Sequence, residues 1–124
     1  MNAPTRVVLV DDDVALRQLV KLLLERDGRF AVVGQAGDGL EGLDVIGVED
    51  PDLVVLDLAM PRFDGLQVLE RLEGAPRPRV AVLTGFSDEA LCEQVLRAGA
   101  RRCLRKGVDF AALPDHLAEV VAEV

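Results

Sequence analysis

The stretch VVLVDDD, residues 7–13, places four apolar residues directly before three carboxylates. The apolar run predicts a buried strand, so the like charges at its end need an explanation. Two unit charges about 4 Å apart repel by about 4 kcal/mol at an effective dielectric constant near 20. These carboxylates must therefore either point into water or have their repulsion offset by another group.

The length and composition of the chain limit the kinds of protein it can be. Its 124 residues suit a single domain over residues 1–124, and with 50% hydrophobic and only 3% aromatic residues the core must be aliphatic. A net charge of -8 argues against direct binding of nucleic acid. Because no apolar run has transmembrane length and the first residues do not resemble a signal peptide, we expect a cytoplasmic protein without a membrane partner.

The two cysteines give no motif. Cys92 and Cys103 are too far apart for a CxxC pair, and the lone His116 offers no partner for a zinc site. We therefore expect reduced thiols that pack as small hydrophobic side chains.

Short apolar runs alternate with amphipathic stretches along the chain. This alternation predicts an α/β fold of five βα units, (βα)5, in which a doubly wound parallel sheet carries helices on both faces. The predicted strands are 7–10, 30–36, 53–56, 80–83 and 101–105, the last at an edge. The predicted helices start after Asp13, which caps the first, and cover 40–48, 65–72, 87–98 with Ser87 as its cap, and the stretch from Leu113 onwards. In the first helix, Leu16, Leu19, Val20 and Leu23 have the spacing of one apolar face.

Ligands of such sheets bind beyond the carboxyl ends of the strands. If the first strand is central, one pocket receives the residues that follow four of the strands: Asp11, Asp12, Asp57, Thr84 and Lys106. Clustered carboxylates with little nitrogen or sulfur nearby suit Mg²⁺, and a carboxylate beside the metal can attack a phosphoryl group. A lysine and a hydroxyl would bind the phosphoryl oxygens. The residues thus predict a pocket in which an Asp accepts a phosphoryl group.

Four segments, taken in order, resemble a response-regulator receiver domain of the CheY-like superfamily: VVLVDDD, LVVLDLAMPRFDGL, VAVLT and GARRCLRK. The resemblance implies a flavodoxin-like sheet with strand order 2-1-3-4-5. It implies that Asp57 accepts a phosphoryl group from the phosphohistidine of a sensor histidine kinase or phosphotransfer protein. It also implies that Thr84 and Lys106 bind that group.

The resemblance also implies a metal cofactor, Mg²⁺ or Mn²⁺. Its ligands would be Asp11, Asp12, Asp57 and the backbone carbonyl of Ala59, with Asp12 a more direct ligand than Asp11.

The stretch GQAGDGLEGL and a lysine not followed by proline resemble receivers of the NarL/LuxR type, which precede helix-turn-helix DNA-binding domains. This implies a role in transcription regulation through a partner or output domain. The implied output face consists of helix 87–98, strand 101–105 and the last helix, and phosphorylation could produce a homodimer. The chain itself would carry the receiver alone.

Two features of the chain bear on how the signal is transmitted and on how long it lasts. Cys103 stands three residues before Lys106, where the family usually has Tyr or Phe. We expect the signal to be carried mainly by Thr84 and the loop after it. Ala59 and Phe86 flank the phosphoryl site, and neither side chain can orient a water, which predicts slow self-dephosphorylation.

Two alternative functions remain at this stage. An Asp-nucleophile phosphohydrolase usually carries a second Asp two residues after the first, where this chain has Ala59. Gly37, Gly39 and Gly42 match the GxGxxG of nucleotide-binding modules. They follow the second strand rather than the first, however, and Asp38 would place a carboxylate against a pyrophosphate. We therefore expect a switch module and not an enzyme.

Overall fold

The computed structural model describes residues 3–60, 63–73, 78–85, 89–107 and 110–123. Five parallel strands form one sheet in the order β2-β1-β3-β4-β5, which confirms the predicted topology. The strands are β1 Thr5–Val10, β2 Phe30–Ala36, β3 Leu53–Leu56, β4 Arg79–Thr84 and β5 Arg102–Arg105. The helices are α1 Val14–Asp27, α2 Gly39–Glu49, α3 Gly65–Arg71, α4 Glu89–Arg97 and α5 Leu113–Ala122, with a 3₁₀ turn at Phe110–Ala112.

The sheet separates two aliphatic layers. In β1, Val7 and Leu9 pack with α1 and α5, whereas Val8 and Val10 pack with α2, α3 and α4. Strand side chains alternate between faces, so continuous apolar runs such as residues 53–56 are buried on both sides. This double burial holds the central strands in register.

Helix α1 starts where the sequence predicts. The Asp13 side chain accepts a hydrogen bond from the Leu16 N–H at 3.1 Å, as a helix cap does. Gly28 ends the helix in the left-handed region, with φ of 89°. The predicted cap Ser87 lies outside the described residues.

The buried face of α1 differs from the predicted one. Val20 is buried, but Leu19 is 40% exposed and Leu24, which was not predicted, is fully buried. The stretch from Leu22 to Leu24 is apolar at every position, so helical spacing alone does not decide which leucine faces inward. Packing against the sheet and α5 decides it.

The prediction of two reduced cysteines is wrong. Cys92 of α4 and Cys103 of β5 form a disulfide, with their Cα atoms 5.7 Å apart. Alternation along β5 turns Leu104 toward the layer of α1 and α5, and turns Cys103 toward the opposite layer, where α4 lies. A sequence separation of eleven carries no signal for this contact.

Within the ranges given above, no helix combines the length and the apolar character needed to cross a bilayer.

Gly65 allows α3 to start directly against the end of β3. Its N–H donates to the Leu58 carbonyl at 3.1 Å, and a Cβ at this position would lie 2.5 Å from the Asp57 carbonyl oxygen. A side chain at residue 65 would therefore push the helix away from the backbone that carries Asp57.

We predict that Gly65→Ala lowers the free energy of unfolding by about 1–3 kcal/mol, because the close backbone contact leaves the added methyl no room. Gly47→Ala in α2 is the matched control, because nothing lies within 4 Å of a Cβ there. That substitution should raise stability by about 0.5–1 kcal/mol, since alanine favours a helix interior. Urea unfolding followed by circular dichroism measures both, and equal effects would contradict the packing argument.

Candidate functional site

A lysine bridges two buried carboxylates at the carboxyl ends of the strands. The Lys106 Nζ lies 3.3 Å from Asp11 Oδ2 and 3.3 Å from Asp57 Oδ1. Asp57 is 3% exposed and Asp11 is 7% exposed, so the two carboxylates are largely removed from water. The structure thus brings together Asp11, Asp57 and Lys106, which directly follow β1, β3 and β5 and are far apart in sequence.

Backbone hydrogen bonds between neighbouring strand ends hold these residues in place. The Asp57 N–H donates to the Val10 carbonyl at 2.8 Å, which joins the ends of β3 and β1. The Lys106 N–H donates to the Thr84 carbonyl at 2.7 Å, which joins the ends of β5 and β4. The site is therefore built on the rigid ends of the sheet.

The environment of Asp57 disfavours its charge. Burial, followed by the negative charge of Asp11, raises the pKa of Asp57 to about 6, although Lys106 and a hydrogen bond from the Ala59 N–H oppose the shift. Keeping the Asp57 carboxylate ionised therefore lowers the free energy of unfolding. A further cation near Asp57 would reduce that cost.

The lysine keeps its charge. Burial lowers the pKa of Lys106, but the negative charges of Asp57 and Asp11 more than compensate and leave it raised. An ammonium group thus stands beside Asp57 throughout the physiological pH range.

The carboxylates have the spacing of a metal site. One oxygen each from Asp11, Asp12 and Asp57 lie within 4.8 Å of one another, and Asp12 is exposed at the rim. An all-oxygen ligand set open to solvent fits a hard divalent cation that keeps several waters. Asp11, Asp12 and Asp57 therefore form a cluster that could hold the divalent cation predicted from the sequence.

The remaining predicted residues are at the same edge of the sheet. Thr84, the last residue of β4, is 1% exposed. Ala59 is exposed, and its N–H lies 3.4 Å from Asp57 Oδ1, while the role of its carbonyl as a metal ligand stays a prediction. Phe86, on which part of the dephosphorylation argument depends, lies outside the described residues.

Arg17 is a residue of the site that the sequence argument missed. Its Nη1 donates to the Asp11 carbonyl at 2.5 Å, and its Nε donates to the Gln35 Oε1 at 3.2 Å. The guanidinium thereby ties the end of β1, where the acidic pair begins, to β2. An arginine on an amphipathic helix looks like a solvated surface residue in the sequence, so only the tertiary structure reveals this contact.

The glycine-rich stretch after β2 serves packing. The Gly39 N–H donates to the Phe63 carbonyl at 3.0 Å, and a Cβ on Gly42 would lie 2.8 Å from Val10 Cγ1. The Asp38 side chain accepts from the Glu41 N–H at 2.9 Å and caps α2. The helix terminus that would receive a pyrophosphate is thus already capped by a carboxylate, so the nucleotide-binding alternative is not favoured.

Comparison with known proteins agrees with this geometry. Residues 7–118 match the model of the response regulator receiver domain family. The chain belongs to this family.

Its relatives carry the receiver in larger proteins. The receiver is 39% identical over 118 residues to the virulence-factor transcription regulator BvgA of Bordetella pertussis, covering 94% of this chain and 52% of that protein. It is 38% identical over 125 residues to protein-glutamate methylesterase/protein-glutamine glutaminase 1 of Caulobacter vibrioides, covering 98% of this chain and 36% of that protein. The chain thus spans about a third to a half of the length of these curated relatives.

The solved signal receiver domain of NarL from Mycobacterium tuberculosis superposes with a TM-score of 0.93 at 30% identity, covering 99% of this chain and all of that one. The fold and the family place this receiver in two-component signal transduction.

We predict that Asp57→Asn stabilises the metal-free protein by about 1–2 kcal/mol at pH 7.5, because it removes a buried charge whose pKa is raised to about 6. A raised folded-state pKa means that wild-type stability is lost as pH rises through 6. The gain should therefore vanish below about pH 4, where Asp57 is neutral in both the folded and the unfolded state.

Urea unfolding in EDTA across this pH range measures the effect. Asp12→Asn is the control, since its exposed carboxylate should change stability by less than about 0.5 kcal/mol. A gain that does not depend on pH would contradict desolvation of Asp57 as the cause.

We predict that Arg17→Ala lowers the free energy of unfolding by about 1–2 kcal/mol, because the substitution removes charge-assisted hydrogen bonds at the end of β1. Arg26→Ala, at the exposed last turn of α1, is the matched control and should have little effect. Equal losses for the two variants would show that the contact with the Asp11 carbonyl contributes nothing.

Proposed function

We propose that this receiver accepts a phosphoryl group on Asp57 in a Mg²⁺-dependent reaction and changes conformation to control a partner or an output domain. The observation that carries the proposal is the Lys106 ammonium, 3.3 Å from the carboxylates of both Asp11 and Asp57. It places a fixed cation beside a carboxylate that is also one of three candidate metal ligands.

The chemical step uses Asp57 as the nucleophile. A carboxylate oxygen of Asp57 attacks the phosphorus of the donor and forms an acyl phosphate. The bond from phosphorus to the imidazole nitrogen of a phosphohistidine breaks, and the imidazole leaves with the bonding electron pair. Burial of Asp57 limits access of competing water to this centre.

The other residues bind the transferred group. Asp11, Asp12, Asp57 and the Ala59 carbonyl would hold Mg²⁺, or Mn²⁺, which when bound would neutralise charge on the phosphoryl oxygens. Lys106 binds one phosphoryl oxygen by charge, and the Thr84 hydroxyl donates to another. Because Thr84 ends β4 and Lys106 directly follows the neighbouring β5, their movement toward the phosphoryl group would alter β4 and β5 together.

The family and the relatives support the partners that we propose. The donor would be a histidine kinase or phosphotransfer protein, and the receiver would work in the cytoplasm. The relative BvgA is named a transcription regulator, and the solved receiver domain of NarL has a similar fold, which together favour a transcriptional output of the NarL/LuxR type. The output would be read from the face formed by α4, β5 and α5, and phosphorylation would favour a homodimer.

The receiver would carry out its own phosphorylation and slow dephosphorylation, without turnover of other substrates. A phosphohydrolase would need an acid/base group near the leaving oxygen, whereas the residue two after Asp57 is Ala59, which has no proton to transfer. The methylesterase activity of the Caulobacter relative belongs to a protein of which this chain covers 36%.

Labelling with acetyl phosphate tests the proposal. In the presence of Mg²⁺ we expect about one phosphoryl group per chain, no label in EDTA, and no label on Asp57→Asn. Gel retardation of the acyl phosphate and intact mass spectrometry measure the label. Asp13→Asn is the matched control, because that aspartate caps α1 and should leave labelling intact.

The lifetime of the label distinguishes a receiver from a phosphohydrolase. After removal of excess donor, we expect the label to persist for many minutes, since Ala59 cannot orient an attacking water. Continuous release of phosphate from excess donor would instead indicate a phosphohydrolase. Label that is retained on Asp57→Asn would refute Asp57 as the acceptor.

A further inference from the structure

The disulfide between Cys92 and Cys103 links α4 to the strand that carries the site lysine. Cys103 lies on β5, three residues before Lys106, and Cys92 lies in the first half of α4. The link closes a chain segment that contains the rest of α4 and the turn into β5. This helix is therefore tied covalently to one wall of the candidate site.

Helix α4 is also the first helix or strand after Thr84, whose hydroxyl group belongs to the candidate site. Thr84 ends β4, and α4 begins at Glu89. A displacement of Thr84 toward a phosphoryl group on Asp57 would thus pass along a short connection into the start of α4. The disulfide restrains the same helix through Cys103 of β5.

Helix α4 buries little apolar side-chain surface. In residues 89–97, Val95 is the only buried side chain, Leu91 is partly buried, and Leu96 is 45% exposed. A helix with so little buried apolar surface belongs to the least stable parts of a fold. The covalent link therefore adds a restraint on α4 to the packing of Val95 and Leu91 against the core.

Reagents can reach the cysteines. Both Cys92 and Cys103 are partly exposed, and thiol–disulfide exchange requires attack on one of the sulfur atoms. Both cysteines therefore lie where the surface is partly open to a thiol reagent.

We propose that Cys92 and Cys103 form a reversible thiol–disulfide pair that determines whether phosphorylation of Asp57 can reposition α4. In the disulfide form, α4 stays bound to β5 while Asp57 is phosphorylated. In the dithiol form, α4 follows the movement of Thr84, so that signal output requires both phosphorylation and reduction. The proposal rests on the proposed function, because it regulates the response of that site.

A small-molecule thiol–disulfide couple supplies or accepts the two electrons and two protons of the redox step. Reduction by a dithiol breaks the bond between the two sulfurs through a mixed disulfide. The dithiol loses two electrons and two protons and becomes a cyclic disulfide, while both cysteines become thiols. Oxidised glutathione reverses the reaction and is itself reduced to two glutathione thiols.

Hydrogen–deuterium exchange of peptides from α4 tests the proposal in four samples. The disulfide and the dithiol forms, the latter in dithiothreitol, are each measured with and without acetyl phosphate and Mg²⁺. Alkylation under denaturing conditions verifies the redox state, and intact mass verifies the label on Asp57. Asp57→Asn in both redox states controls for effects of the reagents.

We expect α4 amides to exchange about tenfold faster in the dithiol form, because the opened link no longer restricts local unfolding. Phosphorylation should change α4 exchange by about threefold or more in the dithiol form and by less than about twofold in the disulfide form. The double variant Cys92→Ser, Cys103→Ser should behave as the dithiol form whatever the oxidant.

Equal responses of α4 to phosphorylation in the two redox states would overturn the switch while leaving the proposed function intact. Absence of label on Asp57 in both states would overturn the proposed function and the switch with it. If the serine variant does not fold, the wild-type dithiol form still decides the question. Loss of the native circular dichroism spectrum on reduction would show a structural disulfide and also overturn the switch.

Discussion

The site depends on the ammonium of Lys106 lying between two carboxylates that burial has removed from water. Without that cation, Asp11 and Asp57 would place two like charges in a low-dielectric environment, where their repulsion and desolvation both oppose folding. Even with the lysine, burial and Asp11 raise the pKa of Asp57 to about 6. The fold therefore maintains a carboxylate whose charge is only partly compensated, which is the condition under which a divalent cation binds well.

The rest of the architecture keeps these charges together. Parallel strands buried on both faces end at one edge, and backbone hydrogen bonds between neighbouring ends fix β1 against β3 and β4 against β5. Gly65 lets α3 approach the carbonyl of Asp57, and Arg17 ties the end of β1 to β2. Each of these contacts positions backbone, so the carboxylates are held by the sheet rather than by a mobile loop.

At the edge of the sheet formed by β5, a disulfide joins the strand to α4. Where the family usually carries an aromatic ring, this receiver has Cys103 joined to α4. A covalent bond between α4 and β5 restrains the helix for as long as the two sulfur atoms stay joined. Reduction of this bond, as we propose, would make the response of α4 depend on the redox environment of the protein.

Local sequence determined much of this protein. Alternation of apolar runs with amphipathic stretches predicted the five βα units, because strands buried on both faces need uninterrupted aliphatic residues. The residues after those runs predicted the site, since parallel strands bring their carboxyl ends to one edge. Asp13 could be identified as a cap because capping acts within one helical turn.

Tertiary structure alone decided what depends on contacts between distant segments. The buried face of α1 uses Leu24 rather than Leu19, because neighbouring helices choose among consecutive leucines. Arg17 acts on the site through its reach to the Asp11 carbonyl, and Cys92 meets Cys103 because α4 lies on that face of β5. None of these follows from spacing along the chain, since spacing specifies periodicity but not which elements will lie against each other.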